Sequence, residues 1–188
     1  MKNLKTIAIA LFVAAASISV NAQTKKIDAK ASSIKWVGKK VTGEHSGTVN
    51  FKDGAVVLKG KKLVGGSFTV DMTSLTSTDL TGEYQGKLNG HLKADDFFGT
   101  DKFPTSTLVI KKINTKAKDL YTVTADLTIK GITKPINFEL AVKGNTATTA
   151  FKVDRTKYDI KYGSGNFFQG LGDKTINDDF ELAVALKF

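Results

Sequence analysis

The feature that most constrains the fold is an alternation of apolar and polar residues with a period of two. In residues 121–129, YTVTADLTI, every second residue is apolar and the residues between them are threonine or aspartate. Residues 136–142 and 180–188 repeat the pattern. Because successive side chains of a strand point to opposite faces, the pattern predicts strands with one apolar face and one wet face.

Further strands are predicted from shorter alternating stretches at residues 33–41, 47–51, 55–59, 68–72, 106–113 and 151–153. Turn residues at 52–54 (KDG) and 143–145 (KGN) predict hairpins, and residues 131–135 predict another between two alternating segments. Connections this short make neighbouring strands antiparallel. About eight such strands with no βαβ rhythm indicate an all-β domain, either a barrel or a sandwich.

One segment, residues 82–93, has the spacing of a helix face instead. Its apolar residues and its glycines both recur every fourth position: Tyr84, Leu88 and Leu92, and Gly82, Gly86 and Gly90. Each glycine weakens a helix by roughly 1 kcal/mol relative to alanine. The glycines are compatible with a close approach of the helix to the sheet, or with a weak helix that is held by packing.

The N-terminus has the organisation of a secretory signal peptide. Lys2 and Lys5 precede an apolar run at residues 7–20, and small residues flank a cleavage site after Ala22. We therefore expect residues 1–22 to be removed and residues 23–188 to form one domain of a periplasmic or secreted protein. The chain has no cysteine, so its stability must come from core and sheet.

The charge pattern argues against a nucleic-acid partner. The net charge is +10, or +8 without Lys2 and Lys5, and the positive residues, apart from Arg155, are lysines scattered singly or in pairs. Nucleic-acid binders usually cluster arginine and lysine among stacking aromatic residues. A scattered pattern is typical of a solvated surface, which leaves room for a transient contact with anionic lipid headgroups.

Motifs for catalysis and metal binding are missing from the sequence. It has no G-x-S-x-G nucleophile elbow and no phosphate-binding glycine loop, and two histidines without cysteine cannot build a histidine-rich zinc site. Asp173, Asp178 and Asp179 lack the spacing of a calcium loop. We expect neither an enzyme nor a metal protein.

Residues 89–104, NGHLKADDFFGTDKFP, have two interpretations. In the catalytic one, His91 is a base that Asp95, Asp96 or Asp101 orients. In the structural one, three phenylalanines plug an end of the barrel, His91 hydrogen-bonds loop backbone and Asp96 caps a turn; the phenylalanines are Phe97, Phe98 and Phe103. The density of aromatic residues favours the structural interpretation.

The interior of a barrel of about eight strands can be filled by side chains or can hold one small ligand. The inward faces predicted here carry almost no polar residue, so a cavity between them would suit a hydrocarbon chain. Burial of each CH₂ group contributes about 0.8 kcal/mol, so such a ligand needs few hydrogen bonds. Composition alone leaves a filled core and a cavity both open, with the filled core as the default.

Five segments resemble the YceI-like family of exported, lipocalin-like lipid-binding proteins. They are residues 34–51, 65–75, 89–108, 127–140 and 153–160. The resemblance implies a lipocalin-like antiparallel barrel of about eight strands, a short helix over one region and an apolar tunnel. The positions that match the family pattern are His45, His91, Asp96, Phe97, Phe98, Pro104, Thr133, Lys134 and Arg155.

The implied function is to hold a long-chain isoprenoid lipid, such as a polyprenyl carrier or a quinone tail, for transport, storage or envelope stress protection. This lipid would be the only bound group, with no cofactor. The alternative function is an envelope scaffold with a filled core and a protein partner. A third possible function is a lipid- or quinone-modifying enzyme with His91 as base. The sequence does not decide whether the protein forms a homodimer.

The ligand site is predicted from the inward faces and from this resemblance. The predicted lining residues are Trp36, Phe68, Val70, Met72, Leu88, Leu92, Phe97, Phe98, Leu127, Phe138, Leu140, Phe151, Val184 and Leu186. Candidate headgroup contacts are His45, His91 and Arg155. For two of these residues a structural role is the alternative. His45 would form a hydrogen bond in a turn, and Arg155 would form a salt bridge to Asp154 or Asp159.

Overall fold

The computed structural model describes residues 22–188, which fold into nine strands and one α-helix. The strands are β1 Ala22–Lys26, β2 Ser33–Lys40, β3 Gly43–Lys59, β4 Lys62–Ser77, β5 Thr105–Ala117, β6 Leu120–Ile129, β7 Ile132–Lys143, β8 Thr146–Asp154 and β9 Ile176–Lys187. The helix is α1 Gly82–Lys93, and two 3₁₀ turns lie at Arg155–Tyr158 and Gly172–Lys174. Of the predicted signal peptide, all but Ala22 lies outside the described residues.

Eight of the strands, β2 to β9, close into an antiparallel barrel. Each strand pairs with its neighbours in the order β3-β2-β9-β8-β7-β6-β5-β4, and pairing of β3 with β4 completes the ring. Strand β1 continues the line of β2 along the same edge of β3, where Ala22 faces Lys59 and Lys26 faces Ala55. The barrel prediction is confirmed, and the sandwich that the alternation also allowed is not the fold.

The hairpin predicted at residues 52–54 is wrong, because β3 runs through these residues without a break. Its pairing with β4 shifts between Phe51 and Asp53, so the sequence KDG makes a bulge instead of a turn. A Cβ atom at Gly54 would lie 2.7 Å from the Phe68 ring, which explains the glycine. The chain reverses later, after Lys59, at Gly60 and Lys61.

The other two predicted turns lie close to where they were expected. Gly144 and Asn145 connect β7 to β8, as predicted. Between β6 and β7 the turn is Lys130-Gly131, with φ angles of 52° and 74°, as a tight two-residue hairpin requires. Pro135 therefore lies inside β7, opposite Asp126, and not in the turn.

Helix α1 occupies the predicted residues, but it is attached mainly by polar groups. Asn89 accepts a hydrogen bond from the Ser77 backbone N–H (2.8 Å), and Gln85 donates one to the Ser77 carbonyl (2.8 Å). Leu92 is buried, whereas Tyr84 is 73% exposed, so Tyr84 is not part of a core-facing stripe. Nothing lies within 4 Å of a Cβ atom placed at Gly86, so the glycines do not serve a close approach.

The two ends of the barrel differ in construction. At the tight-turn end, short connections at residues 60–61, 118–119 and 144–145 join the strands. At the loop end lie α1, the segment 94–104 and the long connection 155–175 between β8 and β9. No helix in residues 22–188 combines the length and apolar character needed to cross a membrane.

Gly47 on β3 offers a test of how tightly the barrel closes. A Cβ atom there would lie 2.0 Å from the Thr76 carbonyl oxygen and 2.5 Å from the Trp36 ring. We expect Gly47→Ala to lower the free energy of unfolding by at least about 2 kcal/mol, because strand and ring must both move. Denaturant unfolding measures this loss.

The matched control is Gly38→Ala, since nothing lies within 4 Å of a Cβ atom at Gly38. Its free energy of unfolding should stay within about 0.5 kcal/mol of the wild-type value. Equal effects of the two substitutions would contradict the close packing of Gly47 against Trp36.

Candidate functional site: an apolar cavity in the barrel

A cavity of about 180 Å³ lies inside the barrel. A water molecule needs about 10–15 Å³ on the same measure, so the space holds roughly a dozen water-sized groups. The lining is almost entirely aliphatic and aromatic, and such cavities stay dry when empty. The core is therefore not completely filled, which answers the question that composition left open.

The predicted lining residues meet around this one cavity, with a single exception. Those that line it are Trp36, Phe68, Val70, Met72, Leu92, Phe97, Phe98, Leu127, Phe138, Leu140, Phe151, Val184 and Leu186. Leu88 packs against the core without lining the cavity, because it lies one helical turn before Leu92. Whether these residues contact a ligand stays a prediction.

Other lining residues were missed by sequence reasoning. They include Ile34, Gly38, Val49, Phe51, Val56, Leu63, Leu75, Leu108, Ile110, Ile129, Ala147, Phe180 and Leu182. Four of them lie two residues from a predicted one on the same strand: Ile34, Gly38, Ile129 and Leu182. The alternation could have identified these residues. In β3 the register shifts at irregularities, so the inward orientation of Val49 and Val56 does not follow from simple alternation.

Phenylalanines form contact pairs along the cavity. Phe138 and Phe151 stack at 4.9 Å between ring centroids, and Phe51 contacts Phe68 at 6.3 Å. At the loop end, Phe98 makes edge contacts with Phe97 at 5.2 Å and with Phe180 at 6.2 Å. Rings at these separations are in the favourable range for aromatic pairs, so the rings pack against one another as well as against the cavity.

Polarity along the cavity is uneven. Towards the tight-turn end the lining is apolar, with residues such as Val56, Leu63 and Leu186. The polar lining residues are Ser106, Thr107, Thr149, Arg155, Asn177 and Asp179, and all but Thr149 lie near the loop end. An amphiphile in the cavity would therefore place its apolar tail deep and its polar group at the loop end.

Strands β7 and β8 form the shortest seam of the barrel. They pair only over Ala141–Lys143 and Thr146–Thr148, next to their shared turn. Beyond that point one side-chain bond spans the gap, from the Thr149 hydroxyl to the Glu139 carbonyl (2.6 Å). The stacked rings of Phe138 and Phe151 lie along this seam, so side chains and not a backbone ladder close the wall there.

Gly38 leaves an unfilled position in the wall. It follows Ile34 and Trp36 on the inward face of β2 and lines the cavity near the loop end. No atom lies within 4 Å of a Cβ atom built there, and its backbone is not in the left-handed region. A side chain at this position would therefore occupy cavity space without straining the strand.

Arg155 is buried (2% exposed) and holds the base of the 155–175 connection. Its guanidinium donates to the carbonyls of Ile160 (2.8 Å), Tyr162 (2.8 Å), Ile176 (3.1 Å) and Asn177 (3.0 Å). These carbonyls belong to the two legs of the loop, so one side chain ties both legs together. The predicted salt bridge to Asp154 or Asp159 is not formed.

The charge of Arg155 is balanced by a different carboxylate. Asp178 Oδ1 lies 3.6 Å from Arg155 Nη2 and has no hydrogen-bond partner among the described residues. Burial lowers the pKa of Arg155, against the opposing effect of the negative charges of Asp178 and Asp154. Arginine stays protonated even so. With four carbonyls already bound, the guanidinium has little donor capacity left for a headgroup.

His91 lies among aromatic rings and not among carboxylates. Its ring is 4.5 Å from that of Tyr162, edge-on, and 5.3 Å from that of Phe97. Among the described residues it has no side-chain hydrogen bond, so the expected bond to loop backbone is not formed. Of the candidate partners, Asp95 instead binds Lys102 at 2.5 Å. The geometry therefore favours the structural interpretation of residues 89–104.

The other predicted residues of the segment 89–104 have two different environments, the cavity and the loop. Phe97 and Phe98 line the cavity, as a plug at the loop end requires. Phe103 instead packs under two turns, where its ring is 3.4 Å from a Cβ atom placed at Gly99 and 3.2 Å from one at Gly131. Asp96 is exposed, and backbone hydrogen bonds such as that from Gly99 N to Ala94 O hold the turn.

His45 is bound to Asp79 and does not line the cavity. Its Nδ1 lies 2.7 Å from Asp79 Oδ2, while Asp79 Oδ1 accepts from the Ser46 backbone N–H (3.1 Å) and the Ser77 hydroxyl (3.0 Å). Burial on its own would raise the pKa of Asp79, but these bonds together outweigh it and lower the pKa. The group joins the start of β3 to the end of β4.

No cluster of three or more metal-ligating side chains occurs within residues 22–188. Asp178 is occupied by Arg155 and by Asn166, whose side-chain amide donates to it at 2.6 Å.

Fold and cavity together define a closed antiparallel barrel with an apolar interior and a helix-and-loop cap at one end. The sequence profile of the YceI-like domain matches residues 26–188, and the chain belongs to that family.

Curated relatives match part of the chain. A UPF0312 protein of Photorhabdus laumondii is 31% identical over 97 residues, which are 50% of this chain and 50% of the relative. A UPF0312 protein of Staphylococcus aureus is 34% identical over 109 residues, 53% of this chain and 60% of the relative. The chain thus spans between half and three fifths of the length of these relatives.

Solved structures share the fold at low sequence identity. BcnA of Burkholderia cenocepacia superposes with a TM-score of 0.67 at 21% identity, over 85% of this chain and 98% of that one. A polyisoprenoid binding domain of Saccharophagus degradans gives a TM-score of 0.57 at 16% identity, over 86% and 95%.

Replacement of Arg155 by lysine tests its role in the loop. An ammonium group has three donors and no planar fork, so at least one of the four carbonyls loses its donor. We expect Arg155→Lys to lower the free energy of unfolding by roughly 2–4 kcal/mol. Hydrogen exchange of residues 160–177 should accelerate. Lys157→Met, an exposed neighbour, is the control, and an unchanged exchange pattern in Arg155→Lys would contradict the clamp.

The Asp79 group predicts a dependence of stability on pH. Because the folded pKa is lowered, its contribution is complete above the unfolded value of about 3.9 and is lost as pH falls through the folded pKa. Asp79→Asn should therefore destabilise the protein at neutral pH, and the difference from wild type should shrink on acidification. A difference that persists unchanged at about pH 2 would contradict this role.

Proposed function

We propose that the protein is an exported carrier that holds the hydrocarbon chain of an isoprenoid-type lipid inside its barrel. The observation that carries this proposal is the apolar cavity with most of its polar residues gathered at one end. A polyisoprenoid binding domain with the same fold supports it. Polyprenyl carriers and quinones both combine a long apolar chain with a small polar group.

The cavity supports burial without covalent chemistry as the mechanism. Each CH₂ group that leaves water contributes about 0.8 kcal/mol, so a chain segment of ten groups gives about 8 kcal/mol before the cost of ordering. His91 packs against aromatic rings without an orienting carboxylate, and His45, which Asp79 does orient, does not line the cavity. We therefore propose a binding protein and not an enzyme.

Export is part of the proposal. Removal of residues 1–22 would leave residues 23–26 of β1 paired with β3, and strands β2 to β9 all lie beyond the expected cleavage site. A periplasmic or secreted carrier would serve transport, storage or protection of the envelope, because it lets a water-insoluble chain cross an aqueous space.

The first test is to extract the exported protein with organic solvent and to identify bound lipid by mass spectrometry. An unrelated exported barrel made in the same host is the control for loosely attached lipid. We expect one dominant long-chain isoprenoid that the control lacks. An empty extract, even after polyprenols and quinones have been offered, would overturn the proposal and favour a scaffold with a protein partner.

The second test fills the cavity from the wall. Gly38→Leu places a side chain in the open position near the loop end and should reduce the bound lipid at least about tenfold, since the niche is open to the cavity. Gly65→Leu is the matched control, because Gly65 pairs with the outward-facing Val57 and has only ordinary contacts of 3.6 Å. Equal lipid content in both variants, with normal unfolding, would mean that the lipid is not held in the cavity.

A further inference from the structure

The connection between β8 and β9 exposes an unusual set of aromatic side chains. We call residues 161–175 the aromatic loop. Phe167 is 51% exposed, Phe168 49% and Tyr162 46%. Among the twelve phenylalanines of the chain, these two are the ones that stand out as exposed large hydrophobic residues within residues 22–188. Adjacent exposed phenylalanines on a loop indicate a contact with something apolar.

The backbone of the aromatic loop is well ordered by hydrogen bonds. Ser164 is fully buried, and its carbonyl accepts from the N–H groups of Phe167 (3.2 Å) and Phe168 (3.0 Å). Gly163 accepts from Ile176 N–H (2.8 Å), which closes the loop at its base. The two phenylalanines therefore lie in a hydrogen-bonded turn and not in an irregular segment.

The aromatic loop is joined directly to the cavity. Arg155 binds carbonyls on both legs of the loop and also lines the cavity, with its guanidinium carbon 5.7 Å from the centre of the Phe97 ring. Tyr162 contacts His91 of α1. Phe167 and Phe168 form the apolar tip of the aromatic loop. This tip thus lies at the loop end of the barrel, the end that carries most of the polar lining residues.

Charge and further apolar groups surround the tip. Lys161 lies over the Phe167 ring, with Nζ 5.2 Å from its centre. The connection has three exposed lysines, Lys157, Lys161 and Lys174, against the acids Asp159 and Asp173. Lys161 is paired with Asp159 (2.8 Å) and Lys157 with Asp154 (3.6 Å), so the positive excess is small. The exposed Val41 adjoins the loop through a backbone bond from Val41 N–H to the Thr175 carbonyl (3.1 Å).

This combination fits the surface of a lipid bilayer. Aromatic and aliphatic tips insert at the level of the headgroups, while lysines beside them attract anionic lipids. The net charge of +8 for residues 23–188 adds a long-range attraction to such a surface. A cavity that holds a membrane lipid must also meet a membrane to load and unload it.

We propose that the aromatic loop docks the barrel on anionic bilayers, with Phe167 and Phe168 inserted among the headgroups and the loop end turned towards the lipid. The part that concerns loading rests on the proposed function, whereas docking itself does not require bound lipid. Docking in this orientation would bring the polar end of the cavity to the membrane surface.

The experiment measures binding to vesicles of phosphatidylethanolamine with and without phosphatidylglycerol. The double variant Phe167→Ser/Phe168→Ser should bind the anionic vesicles at least about tenfold more weakly than wild type, equivalent to about 1.4 kcal/mol. The control variant is Val64→Ser/Val109→Ser, which removes two exposed apolar residues from β4 and β5 outside the loop. It should bind as wild type does.

A tryptophan reporter gives the orientation. The native Trp36 is buried in the barrel, so it changes little when the surface binds lipid. Phe167→Trp should show a blue shift of fluorescence on addition of anionic vesicles, and Val64→Trp should not. Absence of vesicle binding by wild type, or equal binding by both serine variants, would overturn the proposal.

Two readouts separate this inference from the proposed function. Lipid extracted from Phe167→Ser/Phe168→Ser should equal that from wild type if the cavity is the lipid site, while its transfer of lipid between vesicles slows. An empty wild-type protein that still docks through Phe167 would end the carrier proposal and leave the docking intact. Loss of a homodimer in the double variant, with vesicle binding unchanged, would assign the loop to a second copy and overturn docking.

Discussion

Closure of the hydrogen-bonded ring is the constraint on which the other features of the molecule depend. Strand β2 pairs with β3 on one side and with β9 on the other, so the first and last strands of the barrel meet. Once the ring is closed, every strand has an inside and an outside, and the alternation of apolar and polar residues becomes obligatory. The cavity and its apolar wall both follow from this closure.

The ring also explains why the two ends are so different. At one end all three connections are two-residue turns. The helix, residues 94–104 and the aromatic loop are all inserted at the other end, beside the short turns at 41–42 and 130–131. Polar side chains lie at the same end as the inserted segments. Backbone carbonyls of a loop have no partner in a sheet or helix, so they need donors such as Arg155. The cavity is apolar towards the tight-turn end and more polar at the loop end, and this difference results from the topology as well as from the sequence.

The sequence predicted those parts of the fold that depend on local pattern. Strand faces in residues 121–129 and the bounds of α1 follow from periodicity alone. The bulge at Asp53 was read as a turn, because KDG suits either and only the partner strand decides. The role of Arg155 was beyond prediction for a similar reason, since its four partners are backbone carbonyls on two separate segments, residues 160–162 and 176–177. Backbone acceptors leave no signature in a sequence.

The short seam between β7 and β8 has a consequence for how the interior behaves over time. A wall that is joined by only three residue pairs can part locally at far lower free energy than the fully paired joints around it. The interior is therefore elastic in one direction, and its capacity grows as the seam opens and the stacked rings separate. Opening of that seam would enlarge the interior beyond the volume of the closed barrel.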